Sequence, residues 1–350
     1  MTGGGDGVEE ASRWLAKLSR REDLSAEEAD GLVAALIEGS LPDPQAGALL
    51  TQLSAKGESV EELVRFAAAM RLRATPFLPT LTDRAIDLCG TGGAAIPTFN
   101  VSTVSAFVVA AAGVPVAKHG NVSTRGPCGS SDLLEALGLP IRTSVAFAEE
   151  SYRRYGLAFL HAPLYHSATR EIARIRRSLG TRTIFNLLGP LTNPSSARTQ
   201  VVGCFSTAYA GQAVAVLRAL GVPRSMAIHG LDGTDEPSPT GLSEYVRSRE
   251  DAPESGQIDP VTLLAPEERA GGWEARTPTE SAAEARRILS GGAGSTRGAV
   301  LLTAGAALWT IGRAPDLAEG VREAREVLDS GSPQEKMLSL QALSIEREWV

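Results

Sequence analysis

The sequence predicts an α/β protein, with a mostly parallel central sheet flanked by helices and a smaller all-helical domain. Residues 8–75 carry helix-period apolar spacing with helix start and stop signals. From residue 84 short apolar runs alternate with glycine turns and helical segments, the signature of parallel strand–helix–strand units. The chain has 350 residues, 43% of them hydrophobic and 5% aromatic, which allows two domains and suits helices packed closely on a sheet.

The elements follow in order. LSAEEADGLVAALIEG opens on Ser25 as N-cap with Glu28 three residues on, a capping box, and closes at Gly39. DPQAGALLTQLSAKG begins at Asp43 with Pro44 at the first helical position, and SVEELVRFAAAMRLRA follows in the same style. TPFLPTLTD, with two prolines, reads as a linker. AIDLCG is then a buried strand, STVSAFVVAAAG a helix capped by Ser102 or Thr103, VPVAKHG a strand and SSDLLEALG a helix. LAFLHAP, TQVVGCF, SMAIHG and AVLLTAG read as further strands, with helices such as AYAGQAVAVLRALG between them. Residues 247–275 are polar, with several prolines and glycines, and read as a surface excursion. The expected division is 8–75, joined by the helical segment 167–182, against 84–166 with 183–350.

The formal net charge of −7 argues against a broad nucleic-acid-binding face. Three cysteines, odd in number and without metal-type spacing, suggest a reduced, cytoplasmic protein. The start MTGGGDGVEEASRW lacks the basic and apolar regions of a signal peptide, and no apolar run is long enough to span a bilayer.

The chemistry centres on three loops, each following a strand, which in a parallel sheet meet at one edge. GTGGAA formally matches a dinucleotide fingerprint, but Pro97 and Phe99-Asn100-Val101 intervene before the helix. The next strand ends in Lys118 and His119 where a ribose-binding acid belongs, and no P-loop Gly-Lys-Ser/Thr follows the glycines. A phosphate cradle fits better. Gly90, Gly92 and Gly93 let backbone N–H groups approach an anion, and Ser102 and Thr103 sit at a helix N-terminus, either as caps or facing a ligand. KHGN sets Lys118, His119 and Asn121 together, and DGTDE offers Asp232, Asp235 and Glu236. Mg²⁺ is commonly bound by one or two carboxylates plus substrate phosphates, while the bland alternative is a solvated acidic turn. Of the arginines in REIARIRRSLGTR, most are expected in solvent and one could clamp a carboxylate. The combination suits transfer of a phosphorylated sugar by positioning and charge.

With DPQAGALLTQLSAKGESVEELV, TFNVST, VAKHGN, SDLLEALG, RTIFNLLGPLTNP, HGLDGTDE and EGVREAREVLDSG in this order, the sequence resembles the anthranilate phosphoribosyltransferase family. The resemblance implies Mg²⁺-dependent transfer of a phosphoribosyl group from phosphoribosyl diphosphate to anthranilate, releasing pyrophosphate, in a homodimer joined through the helical domains. By the same resemblance Gly90, Gly92, Gly93, Asn100, Ser102, Thr103 and Lys118 would bind the donor. Ser102, Asp235 and Glu236 would bind metal; Gly90, His119, Asn121 and Arg176 would bind the acceptor. The sequence departs from the family's GTGGDG-x-KTFN at Ala94 and Pro97, from its Arg after KHGN at Val122, and from SSKSGSAD at Arg125-Gly126-Pro127. Arg125 is expected to restore charge lost at these positions and so joins the donor-binding set. The departures keep alternatives open: another aromatic acid as acceptor, a non-catalytic binder of phosphorylated metabolites, or the related pyrimidine nucleoside phosphorylase chemistry.

Overall fold

The structure is a computed structural model, and it describes residues 4–92, 96–123, 126–142, 144–167, 170–250, 252–346 and 348–349. Along the chain run α1 (Gly4–Ser19), α2 (Ala26–Glu38), α3 (Asp43–Lys56), α4 (Val60–Arg73), β1 (Ile86–Gly90), α5 (Val101–Ala111), β2 (Val116–Gly120) and α6 (Ser130–Ala136). Next come α7 (Val145–Tyr155), β3 (Leu157–His161), α8 (Ala162–Tyr165), α9 (Arg170–Leu179), α10 (Ile184–Leu188), β4 (Thr199–Gly203) and α11 (Thr207–Ala219). Then follow β5 (Arg224–Gly230), β6 (Ser243–Arg247), β7 (Glu254–Ile258), α12 (Pro260–Leu263), α13 (Pro278–Leu289), α14 (Ser295–Ile311), α15 (Leu317–Asp329) and α16 (Ser332–Ile345). Among the described residues no helix is long and apolar enough to cross a membrane.

Two compact units emerge, residues 1–75 with 165–192 and residues 76–164 with 193–350. The helical unit thus takes residues 183–192, which the sequence alone placed with the sheet. Its α2 carries the Ser25–Glu28 capping box and closes on Gly39 in the left-handed region. The sequence put Asp43 at the N-cap of α3, but the cap is Pro42 and Asp43 opens the helix, where it pairs with Arg174 of α9. Leu32, Leu36, Leu49, Leu50, Leu53, Leu63 and Phe66 form the interior. Inside it Glu62 is buried yet satisfied, accepting from Leu24 N at 2.9 Å, Ser59 N at 2.8 Å and Lys56 Nζ at 2.8 Å.

The second unit holds a seven-stranded sheet in the order β3-β2-β1-β4-β5-β6-β7. β1 to β5 run parallel, and β6 and β7 are antiparallel additions. The chain steps one way from β1 to β3, then returns past β1 and steps the other way from β4 to β5. Right-handed crossovers therefore put α5 and α11 on opposite faces. Ile86, Leu88, Val116, Phe159, Val201 and Ile228 pack in one core with α5 and α14. AVLLTAG, expected as a strand, lies inside α14: every residue of Ser295–Thr310 is buried, so the helix shows no polar face and its apolar run mimics a buried strand. The excursion at 247–275 contains β7, an edge strand whose alternating exposure hides it among turn residues.

Candidate functional site

The reversal of strand order opens a crevice beyond the carboxyl ends of β1 and β4, which is where ligands bind in sheets of this kind. β1 and β4 stay paired to their last residues, Gly90 opposite Gly203. A Cβ on Gly203 would lie 1.8 Å from the carbonyl oxygen of Asp235, and one on Gly90 would lie 3.5 Å from Asp235 Oδ2. Gly203 is bare because the acidic loop after β5 lies against it, while at Gly90 the loop comes only to ordinary contact distance. Gly92, with φ +62, donates its N–H to Asp235 Oδ2 at 3.0 Å. The glycine loop and the acidic pair, 143 residues apart in sequence, form one place.

The acidic turn is internally wound. Thr234 Oγ1 donates to Asp232 Oδ1 at 2.7 Å, and Gly230 N donates to Thr234 O at 3.1 Å. Asp232 is thereby committed to the turn, leaving Asp235 and Glu236 for the crevice. Ser102 does not cap α5, and neither does Thr103. The N-cap is Asn100, which makes no side-chain cap bond and donates instead to Cys128 O at 3.1 Å. Ser102 instead lies beside Glu236: the two line one small cavity, and the Ser102 N–H and hydroxyl act to lower the Glu236 pKa. Glu236 thus sits at the positive end of α5. Thr103 is buried just behind, on α5.

Burial first, and the adjacent Asp235 second, push the Glu236 carboxyl well above the usual carboxylate range, with Lys118 and Ser102 opposing. A divalent cation relieves that strain, and two carboxylates plus a hydroxyl are the hard oxygen donors that Mg²⁺ takes. Among the described residues no group of three His, Cys, Asp or Glu could hold a metal ion. The protein shell is therefore partial and suits a cation that shares its coordination with substrate phosphates.

Lys118 and His119 are the last residues of β2 before Gly120 rather than loop residues. Both are buried. Lys118 Nζ donates to Leu88 O, and the His119 N–H donates to Asp87 Oδ1 at 3.1 Å. Beyond them Asn121 is pinned through its backbone by Ser130, whose Oγ accepts from Asn121 N and donates to Asn121 O, each at 3.1 Å. Gly120 must be bare there, since a Cβ would fall 2.2 Å from Ser130 Oγ. Arg176 belongs to the helical unit, where its guanidinium lies 5.7 Å from the centre of the Phe185 ring. Burial lowers its pKa. Gly93 and Arg125 lie outside the described residues.

Sequence reasoning missed Gly203, Asp87 and Gln200. A glycine ending a strand, and a lone acid and a lone amide inside the apolar runs AIDLCG and TQVVGCF, are the available signals. Gln200 Nε2 donates to Asp87 Oδ2 at 3.0 Å.

A family model described as glycosyl transferase family, a/b domain, matches residues 82–334, and its helical bundle counterpart matches residues 12–74. A protein of Desulfosudis oleivorans named anthranilate phosphoribosyltransferase is 43% identical over 334 residues, covering 94% of this chain and 97% of its own. One of that name from Myxococcus xanthus is 40% identical over 334 residues, covering 93% and 96%. The crystal structure of anthranilate phosphoribosyltransferase from Thermus thermophilus superposes with a TM-score of 0.86 at 38% identity, covering 94% of this chain and 98% of that one. The Saccharomyces cerevisiae enzyme in complex with PRPP and Mg shares the fold, with a TM-score of 0.82 at 23% identity over 95% and 97% of the two chains. By identity over nearly its whole length, the chain belongs to the anthranilate phosphoribosyltransferase family of glycosyl transferases.

Proposed function

We propose that the chain transfers the 5-phosphoribosyl group of phosphoribosyl diphosphate to the amine of anthranilate, releasing pyrophosphate, as a step of tryptophan biosynthesis. The observation that carries this is the bond from Gly92 N–H to Asp235, which joins a bare backbone loop to an acidic pair at the switch point of the sheet. Gly90 and Gly92 leave room for a diphosphate, Gly93 is assigned to the same donor, and Asn100, Ser102 and Thr103 line the start of α5. Lys118 adds a buried positive charge, and Arg125 is assigned to the same donor. Mg²⁺, held by Ser102, Asp235 and Glu236, would supply positive charge against the departing pyrophosphate.

The reaction needs no covalent intermediate on the protein. As the bond from ribose C1 to pyrophosphate lengthens, C1 gains positive character and the leaving oxygens gain negative charge. Groups already fixed around those oxygens stabilise that state without reorganising. The acceptor amine attacks C1 from the opposite side, oriented by Gly90, His119 and Asn121. Arg176, half-buried on α9, is assigned to the acceptor carboxylate. His119 is placed for orientation.

A homodimer through the helical unit belongs to the same proposal. Its support is a groove of about 380 Å³ between α3 and α9, lined by Pro44, Gly47, Thr51, Ile175 and Leu179, apolar enough to receive a second copy. The buried thiols of Cys89, Cys128 and Cys204 accord with a cytoplasmic location.

The test is pyrophosphate release from phosphoribosyl diphosphate with Mg²⁺ and a panel of aromatic amines. Turnover highest with anthranilate supports the assignment. Higher turnover with another aromatic acid replaces the acceptor, and donor binding without release on any amine contradicts catalysis.

A further inference from the structure

We infer that Asp87 is a positioning residue, whose carboxylate, in place of a strand ladder, fixes the ligand-bearing end of β2 beside β1. The inference rests on the proposed phosphoribosyl transfer for the roles of Lys118, His119 and Asn121. Its structural basis is a split in the sheet. β1 pairs with β4 at all five positions from Ile86 to Gly90, and β2 pairs with β3 at all five from Val116 to Gly120. Between β1 and β2 the register holds one pair, Ile86 with Val116. Beyond that pair the ties given by the structure are made by side chains. Asp87 Oδ1 accepts the His119 N–H at 3.1 Å, and Lys118 Nζ donates to Leu88 O.

Strand alternation makes the two ties complementary. Leu88 shares its face with the core under α5 and α14, and Asp87 points to the other face. Lys118, two residues beyond Val116 of that core, comes from the same face as Leu88. One tie therefore crosses the split from each side. Asp87 is itself fixed. It is 1% exposed, accepts Gln200 Nε2 of β4 on Oδ2 at 3.0 Å, and lies beside Asn193. Asn193 in turn donates to Ala117 O at 2.8 Å, a third hold on β2. A parallel ladder continued in this register would set Lys118 and His119 directly opposite Leu88 and Cys89, one step short of Gly90. The carboxylate instead sets their spacing from the glycine loop, and so the spacing of donor contacts from acceptor contacts.

Charge and position predict opposite signs on substitution. Asp87→Asn removes a buried negative charge near Lys118, so a purely electrostatic role tightens the binding of an anionic donor. A purely structural role lowers the folded fraction and leaves the KM of folded molecules alone. A positioning role weakens both substrates. We expect Asp87→Asn to raise KM for phosphoribosyl diphosphate and for anthranilate about tenfold each. The Kd of the donor with Mg²⁺, read by calorimetry, rises by about the same factor. Gln200→Leu, which leaves the carboxylate but releases Oδ2, raises the same constants about threefold and keeps the test open if the first variant does not fold. Unchanged or tighter donor binding in a folded variant overturns the inference. Wild-type protein that binds donor but releases no pyrophosphate overturns the proposed reaction instead, and the calorimetric comparison still decides the role of Asp87.

Discussion

Gly203 shows how much of the site rests on single atoms. Its missing Cβ leaves the room that the backbone of Asp235 takes, 1.8 Å from where that carbon would stand. Gly203→Ala must push the acidic loop off the strand end and separate Asp235 from Gly92. We expect kcat/KM to fall by ~100-fold or more, since a displacement of about 1 Å at a reacting centre suffices for that. Gly211→Ala on the exposed side of α11, where an added Cβ meets nothing within 4 Å, serves as the control. It should leave turnover unchanged and raise stability by up to ~1 kcal/mol. Steady-state kinetics on both variants checks the pair. Gly92, Asp235 and Glu236 stood out as candidates in the sequence because glycines and paired acids carry their chemistry in their type. Gly203 and Asp87 did not, because each matters through a partner 32 residues away in sequence, Asp235 or His119, that only the folded sheet supplies.

At the scale of elements, α14 and α15 cross at two glycines. A Cβ on Gly305 would lie 2.7 Å from Val321 N, and one on Gly320 would lie 2.4 Å from Gly305 O. Gly305→Ala therefore forces two backbones apart. It should destabilise the α/β unit by roughly 1–3 kcal/mol, as overpacking commonly does, measured by denaturant unfolding. The same helix explains the strand misassignment. AVLLTAG sits in an element buried on every side, and periodicity has nothing to report where no face meets water. The capped helices of the first unit were readable for the converse reason, as Ser25 and Ser59 with Glu28 and Glu62 write their caps into the sequence. At α5 the hydroxyls of the first turn looked like caps, but the cap position is Asn100, Ser102 lines the cavity with Glu236 and Thr103 is buried behind it.

For the whole molecule, pH is a lever. His161 at the end of β3 is buried and bonded through Nδ1 to Ser131 Oγ at 2.9 Å. Burial first, and the charge of Arg142 second, lower its pKa from 6.5 to about 4. Between those values the unfolded chain binds a proton that the folded ring refuses, so unfolding is favoured as the solution is acidified. The contribution is fully present above pH 6.5 and is lost progressively toward pH 4, on the order of 3 kcal/mol in all. His161→Gln should flatten the stability profile across that window, as read from denaturant midpoints at several pH values.

The proposed reaction requires the glycine loop and the acidic pair to form one magnesium-dependent donor site. Calorimetric titration of phosphoribosyl diphosphate, with and without Mg²⁺, into the wild-type chain and into Asp235→Asn/Glu236→Gln tests it directly. The wild type should bind donor tightly only with Mg²⁺, and the double variant should bind at least ~100-fold more weakly and lose that dependence on the metal. Donor bound by the double variant as tightly as by the wild type, with the same response to Mg²⁺, would contradict it.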